Sequence, residues 1–126
     1  MRSGGGYGSD FGLGIRNMKR HGNISMKEIR SIAKRIAMKF NIEKIILFGS
    51  HVYGVRSEGS DIDFLVIATS NVSRSELRYR IYTELKDIAV PLDVVIREPR
   101  QVETAKQRRD WFLMNILKHG RPVYGD

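Results

Sequence analysis

Residues Leu47 to Ile67 read LFGSHVYGVRSEGSDIDFLVI, and the organisation of the chain is best worked outward from them. Gly49-Ser50 is followed by ten residues and then by Asp61-x-Asp63, with an apolar, strand-like segment on each side. Four fixed residues of these types recur by chance at roughly one start in 10⁵, given ordinary residue usage. Side chains of a strand alternate, so Asp61 and Asp63 project to the same face with Cα atoms roughly 6.5 Å apart. Aspartate is depleted in strands, and paired carboxylates beside an apolar sheet suffer desolvation and mutual repulsion. A single surface aspartate capping a loop needs no explanation, but this pair calls for a compensating cation.

The flanks supply the fold. Upstream, Ile42 to Phe48 reads as a strand whose run Ile45-Ile46-Leu47-Phe48 suits burial on both faces. Before it, Ser25 with Glu28 forms a capping-box pattern that opens a helix, with Ile29, Ile32, Ala33, Ile36, Ala37 and Phe40 at helical spacing. Downstream, Asp61 to Ile67 reads as a second strand. Ser73 with Glu76 predicts a helix through about Ala89, carrying Leu77, Ile81, Leu85 and Ile88 on one face. Pro91 stops it, and Leu92 to Ile96 makes a third strand. After Pro99 one last helix is expected with Val102, Ala105, Trp111, Phe112, Ile116 and Leu117, ending at Gly120; its aromatic residues are read as core. Pro122 to Tyr124 adds a short edge strand. The order α-β-β-α-β-α-β predicts an α/β (α+β) fold, a mixed sheet with helices packed on it.

The chain has 126 residues, sufficient for one compact domain. Residues 1–22 are glycine-rich and end in the basic cluster Arg16, Lys19, Arg20 and His21; they read as a flexible tail ahead of a domain over residues 23–126. No apolar run reaches the roughly 18 residues of a membrane span, and no secretory h-region is visible. The absence of cysteine excludes disulfides, thiolate metal sites and cysteine catalysis, and the cytoplasm is the expected location. The net charge of +8 favours anionic partners, although a solvated basic surface gives the same number. The cations Arg97, Arg100, Lys106, Arg108 and Arg109 read as such a surface.

A third carboxylate, Asp93, sits near the start of the third strand and completes a cluster if that strand lies beside the Asp61–Ile67 strand. All three ligands are hard oxygens, and His21, His51 and His119 are scattered. That favours Mg²⁺, with Mn²⁺ as the alternative, over zinc. Mg²⁺ completes its shell with water and substrate phosphates, so the site implies a phosphate-bearing substrate. Gly49 lets backbone N–H groups approach a ligand, and Ser50 can cap a short helix through about Gly54.

These residues resemble the nucleotidyltransferase superfamily of the DNA polymerase β type, whose signature is Gly-Ser, a spacer, Asp-x-Asp and a later third acid. The ten-residue spacer is similar to that of the minimal nucleotidyltransferases, the MntA-like antitoxins encoded beside HEPN-domain toxins. The resemblance covers about residues 25–126, including the last helix and the Gly120-to-Tyr124 segment. It implies that Gly49 and Ser50 bind a triphosphate and that Asp61 and Asp63 hold two metal ions. Asp93 would bind the catalytic one and help deprotonate the acceptor hydroxyl. His51 and Tyr53 stand where relatives often carry arginine, which makes Arg56 the candidate nucleotide-binding cation. The implied activity is transfer of AMP from ATP to a hydroxyl, foremost a tyrosine of a partner HEPN toxin, as in type VII antitoxins. Two alternatives stay open: an antitoxin that neutralises its partner by binding alone, and nucleotidyl transfer to a small molecule such as an aminoglycoside.

Overall fold

The computed structural model describes residues 24–53 and 61–125. The expected tail over residues 1–22 and Arg56 therefore lie outside the described residues. Helix α1 (Met26–Lys39) starts at the capping box: Ser25 N donates to Glu28 Oε1 at 2.8 Å, and Glu28 N donates to Ser25 Oγ at 3.1 Å. Two amides that a helix start leaves unpaired are thereby satisfied. Ile29, Ile32, Ala33 and Ile36 are buried, and each isoleucine contributes roughly 1.5–3 kcal/mol by leaving water.

Strands β1 (Ile42–Phe48), β2 (Ile62–Ala68), β3 (Leu92–Arg97) and β4 (Arg121–Tyr124) form one sheet in the order β3-β2-β1-β4. β1 runs antiparallel to both β2 and β4, whereas β2 and β3 are parallel. The sheet is mixed, as the sequence predicts. One face packs Ile45, Leu47, Phe64, Val66, Val94 and Ile96 against α1 and α2 (Arg74–Glu84). The other packs Ile46, Leu65 and Ile67 against Ala105, Leu113 and Ile116 from the C-terminal segment. Burial on both faces is why β1 and β2 read as continuous apolar runs instead of alternating ones.

Two helical expectations are corrected. α2 ends at Glu84, not near Ala89. Arg35 of α1 pulls the following residues into turns: its guanidinium donates to Asp87 at 2.7 and 3.0 Å and to the Glu84 carbonyl at 3.0 Å. The Leu85 and Ile88 side chains still reach the core from those turns. The last helix is in fact two, α3 (Pro99–Glu103) and α4 (Trp111–His119). Arg108 donates to the Gln101 carbonyl at 2.9 Å, Arg109 takes φ 55°, and Asp110 caps α4 by accepting from Leu113 N at 3.1 Å. These local bonds compete with a continuous helix. The break also rotates the aromatic pair outward. Trp111 is 65% exposed and Phe112 52% exposed, so neither is the core residue the sequence suggested.

At the end of α4 the chain turns tightly at Gly120, where a Cβ would collide with the Ile46 side chain and the Ile116 carbonyl. The glycine lets β4 lie directly against β1.

Candidate active site

Alternation along β2 gives Asp63 the same face as Leu65 and Ile67, the face that the C-terminal helices cover farther along the strand. The strand register sets its neighbours. Asp63 lies opposite Asp93 across the parallel β2–β3 pair and opposite Phe48 across the antiparallel β2–β1 pair. Residues so paired sit about 5 Å apart and project to one side of the sheet. The two carboxylates are therefore adjacent because the crossover through α2 returns β3 parallel to β2 and in register.

Gly49 follows Phe48 and has φ +83°, a conformation that side-chain-bearing residues rarely adopt. A Cβ there would overlap the Asp63 carboxylate. The Gly-Ser turn is thus pressed against Asp63, closer than any other residue type permits. From it the chain enters a single turn of 3₁₀ helix, Ser50–Tyr53, with Val52 N donating to the Gly49 carbonyl at 3.2 Å. The sequence anticipated a short helix here; the tighter 3₁₀ form suits so short a segment. His51 is buried at its centre, 4% exposed.

Asp61 is exposed just before β2, and Asp63 and Asp93 are partly buried. The Asp63 carboxyl is pushed up from 3.8 to about 6, first by burial, then by the charge of Asp93, then by that of Asp61. The charges of Asp93 and Asp61 thus both act on Asp63 at one end of the sheet, beside Gly49. Arg78 of α2 partly offsets the charge: its Nη2 is 3.5 Å from Asp93 Oδ1, and its guanidinium lies 5.4 Å from the centre of the Tyr82 ring. Tyr82 is itself tied to β3, its hydroxyl accepting from Val94 N at 2.9 Å.

Among the described residues, no three His, Cys, Asp or Glu side chains close into a cage for a metal ion. Mg²⁺ does not need one, since it binds through one or two carboxylates and takes its remaining ligands from water and phosphate. An all-oxygen donor set with a raised carboxyl pKa is a local excess of negative charge, and a divalent cation suits it. The residues present fit such an ion.

Sequence reasoning missed Arg78 and Tyr82. The spacing of Arg74 and Arg78 by one helical turn was visible, but only the fold brings that face of α2 to Asp93. Phe48 and Phe112 were also not foreseen as a pair; their rings meet edge to face with centroids 5.9 Å apart, beside a small pocket of 160 Å³ that Gly49 helps to line. Of the cations read as a solvated surface, Arg100, Lys106, Arg108 and Arg109 are exposed, while Arg97 lines a groove beside Asp93.

Solved structures share the architecture. One, a toxin–antitoxin with AMP-PNP, is 22% identical over 77% of this chain and 73% of that one, with a TM-score of 0.50. A point mutant of the toxin–antitoxin MntA-HpeT is 19% identical over 82% of this chain and 75% of that one, with a TM-score of 0.52. At such identities the likeness is one of fold. The sequence profile of the family described as Polymerase beta, Nucleotidyltransferase matches residues 29–126, which includes every described element of the sheet. The chain belongs to the polymerase β nucleotidyltransferase family.

Proposed function

We propose that this protein is a Mg²⁺-dependent nucleotidyltransferase that moves AMP from ATP to a tyrosine hydroxyl of a partner HEPN-domain toxin, acting as its antitoxin. The observation that carries the reading is the register: Asp63 faces Asp93 across β2–β3 while Gly49 abuts the Asp63 carboxylate. A phosphate-approaching turn and paired acids are then within one substrate's reach. Family membership and the fold shared with toxin–antitoxin structures, one of them with AMP-PNP, support the same reading.

In this proposal, backbone N–H groups at Gly49 and Ser50 bind the β- and γ-phosphates, with Arg56 as a further contact. Asp61, Asp63 and Asp93 would be the residues that hold the divalent ions. When bound, such ions would supply charge neutralisation for the leaving phosphates and a lowered pKa for the attacking hydroxyl. Asp93 receives the tyrosine proton. The phenolic oxygen forms a bond to the α-phosphorus, the bond from that phosphorus to the bridging oxygen breaks, and pyrophosphate departs with the electron pair. Asp63, pressed between Gly49 and Asp93, fixes the distance between the phosphate end and the acceptor end, so most of the rate gain comes from positioning.

The test is incubation with α-³²P-ATP, Mg²⁺ and the HEPN-domain partner. Label should appear on the partner's tyrosine and disappear with Asp63→Asn, although the variant still forms the complex. An unlabelled partner alongside measurable ATP binding would refute transfer to protein, and undiminished neutralisation by Asp63→Asn would favour simple occlusion.

A further inference from the structure

Asp93 also lines an open groove of about 580 Å³ along β3, shared with Arg74, Ser75, Arg78 and Arg97 and with residues 94–96. Arg78 reaches Asp93 there, and Arg74 and Arg97 line the same groove, Arg97 Nη1 donating to the Ile96 carbonyl at 2.9 Å. The groove's position in the sheet gives it a direction. Gly49 lies at the end of β1, Asp63 on β2 and Asp93 on β3, and β3 is the edge of the sheet. In an in-line displacement the attacking oxygen and the leaving group stand on opposite sides of the phosphorus. With pyrophosphate leaving toward Gly49 and Ser50, the acceptor enters past Asp93, which is along this groove.

We propose that the groove docks the acceptor protein through an acidic stretch flanking its reactive hydroxyl; this rests on the nucleotidyl-transfer reading above. The arrangement of charge selects the occupant. Arg74 and Arg78 are one helical turn apart on α2, and Arg97 lines the same groove from the end of β3, so three cations share it. Arg80, two residues beyond Arg78 and so on another side of the helix, is neutralised by Glu76 at 2.8 Å and adds no cation to the groove. A nucleic-acid backbone calls for a row of cations. Three cations in one groove suit a few carboxylates of a short peptide, each gripped in a two-pronged guanidinium bond. Docking is through side chains, since the edge N–H of Val94 already donates to Tyr82 Oη at 2.9 Å.

The probe is a fluorescein-labelled random copolymer of glutamate and tyrosine, read by anisotropy with the whole chain, and ATP affinity is measured in parallel. Arg74→Glu/Arg97→Glu should weaken copolymer binding by about tenfold or more, as expected for lost charge complementarity, and leave the ATP Kd unchanged. Arg74→Glu alone, at the exposed first residue of α2, should give a smaller loss in the same direction and guards against misfolding of the double variant. Charge reversal at exposed Arg30 and Lys34 of α1 should have little effect. The proposal is overturned if the α1 reversal weakens binding equally, if ATP affinity falls in step, or if a single-stranded oligoadenylate displaces the copolymer more readily than unlabelled copolymer does. Groove-dependent copolymer binding together with an unlabelled HEPN-domain partner would support the docking surface and count against the catalytic reading.

Discussion

Asp63→Asn should make the metal-free protein more stable while it removes the proposed chemistry. Burial and the neighbouring acids hold the Asp63 carboxyl at about 6 instead of 3.8, and each unit of such a shift is worth about 1.36 kcal/mol. The full shift would come to about 3 kcal/mol, and because the group is only partly buried, screening reduces this to about 1–2 kcal/mol. The sign follows from proton binding. Between pH 3.8 and about 6 the native state holds more protons than the unfolded chain, so stability falls as pH rises through that window and stays low above it. Asparagine is neutral throughout. In thermal melts with chelator, the variant should melt about 4–8 °C above the parent at about pH 7.5, with the gap fading toward pH 4. Added Mg²⁺ should raise the parent's melting temperature and leave the variant's nearly unchanged. A variant that melts at or below the parent near neutral pH, or an equal gap at both pH values, would refute the argument that Asp63 is held ionised at a cost.

Gly49→Ala introduces both a strained φ and an overlap with Asp63; it should lose about 1–3 kcal/mol in urea unfolding and bind ATP measurably more weakly by calorimetry. Arg35→Ala leaves Asp87 and the Glu84 carbonyl without the guanidinium that joins α1 to the end of α2. A loss of about 1–3 kcal/mol in the same assay is expected, with nucleotide binding intact. Trp111→Ser removes a side chain that is 65% exposed and should change stability by less than about 0.5 kcal/mol; a loss of core size would mean that the indole is buried.

The sheet and its first helix were legible because their signals are local and redundant. The Ser25–Glu28 box and the apolar run from Ile45 to Phe48 each state one thing. The two errors have different physical origins. The end of α2 is set by Arg35, fifty-two residues before the Asp87 it grips, and no window along the chain contains that bond. The break before α4 did leave a sign, Asp110 as an N-cap three residues ahead of Leu113, but the apolar residues on either side of it fit one helical period equally well. Of the candidate site, the Gly-Ser turn and the Asp-x-Asp pair were readable from spacing. The placement of Asp93 beside them required knowing that β3 lies parallel to β2, and Arg78 required knowing which way α2 faces.

The antiparallel pairing of β1 with β2 bears on how the molecule reaches its native state. Gly49, Ser50, Asp61 and Asp63 all belong to one hairpin, closed by contacts between Phe48 and Asp63 that are near in sequence. Short-range closure is entropically cheap and fast, so the phosphate side of the site can be assembled while the rest of the chain is still searching. Asp93 is joined to that hairpin only through the longer helical crossover, and the last strand reaches the far edge of β1 from still farther along the chain. A chain in which acquisition of ordered β3 lags behind the hairpin would accordingly gain nucleotide affinity before it gains the ability to react.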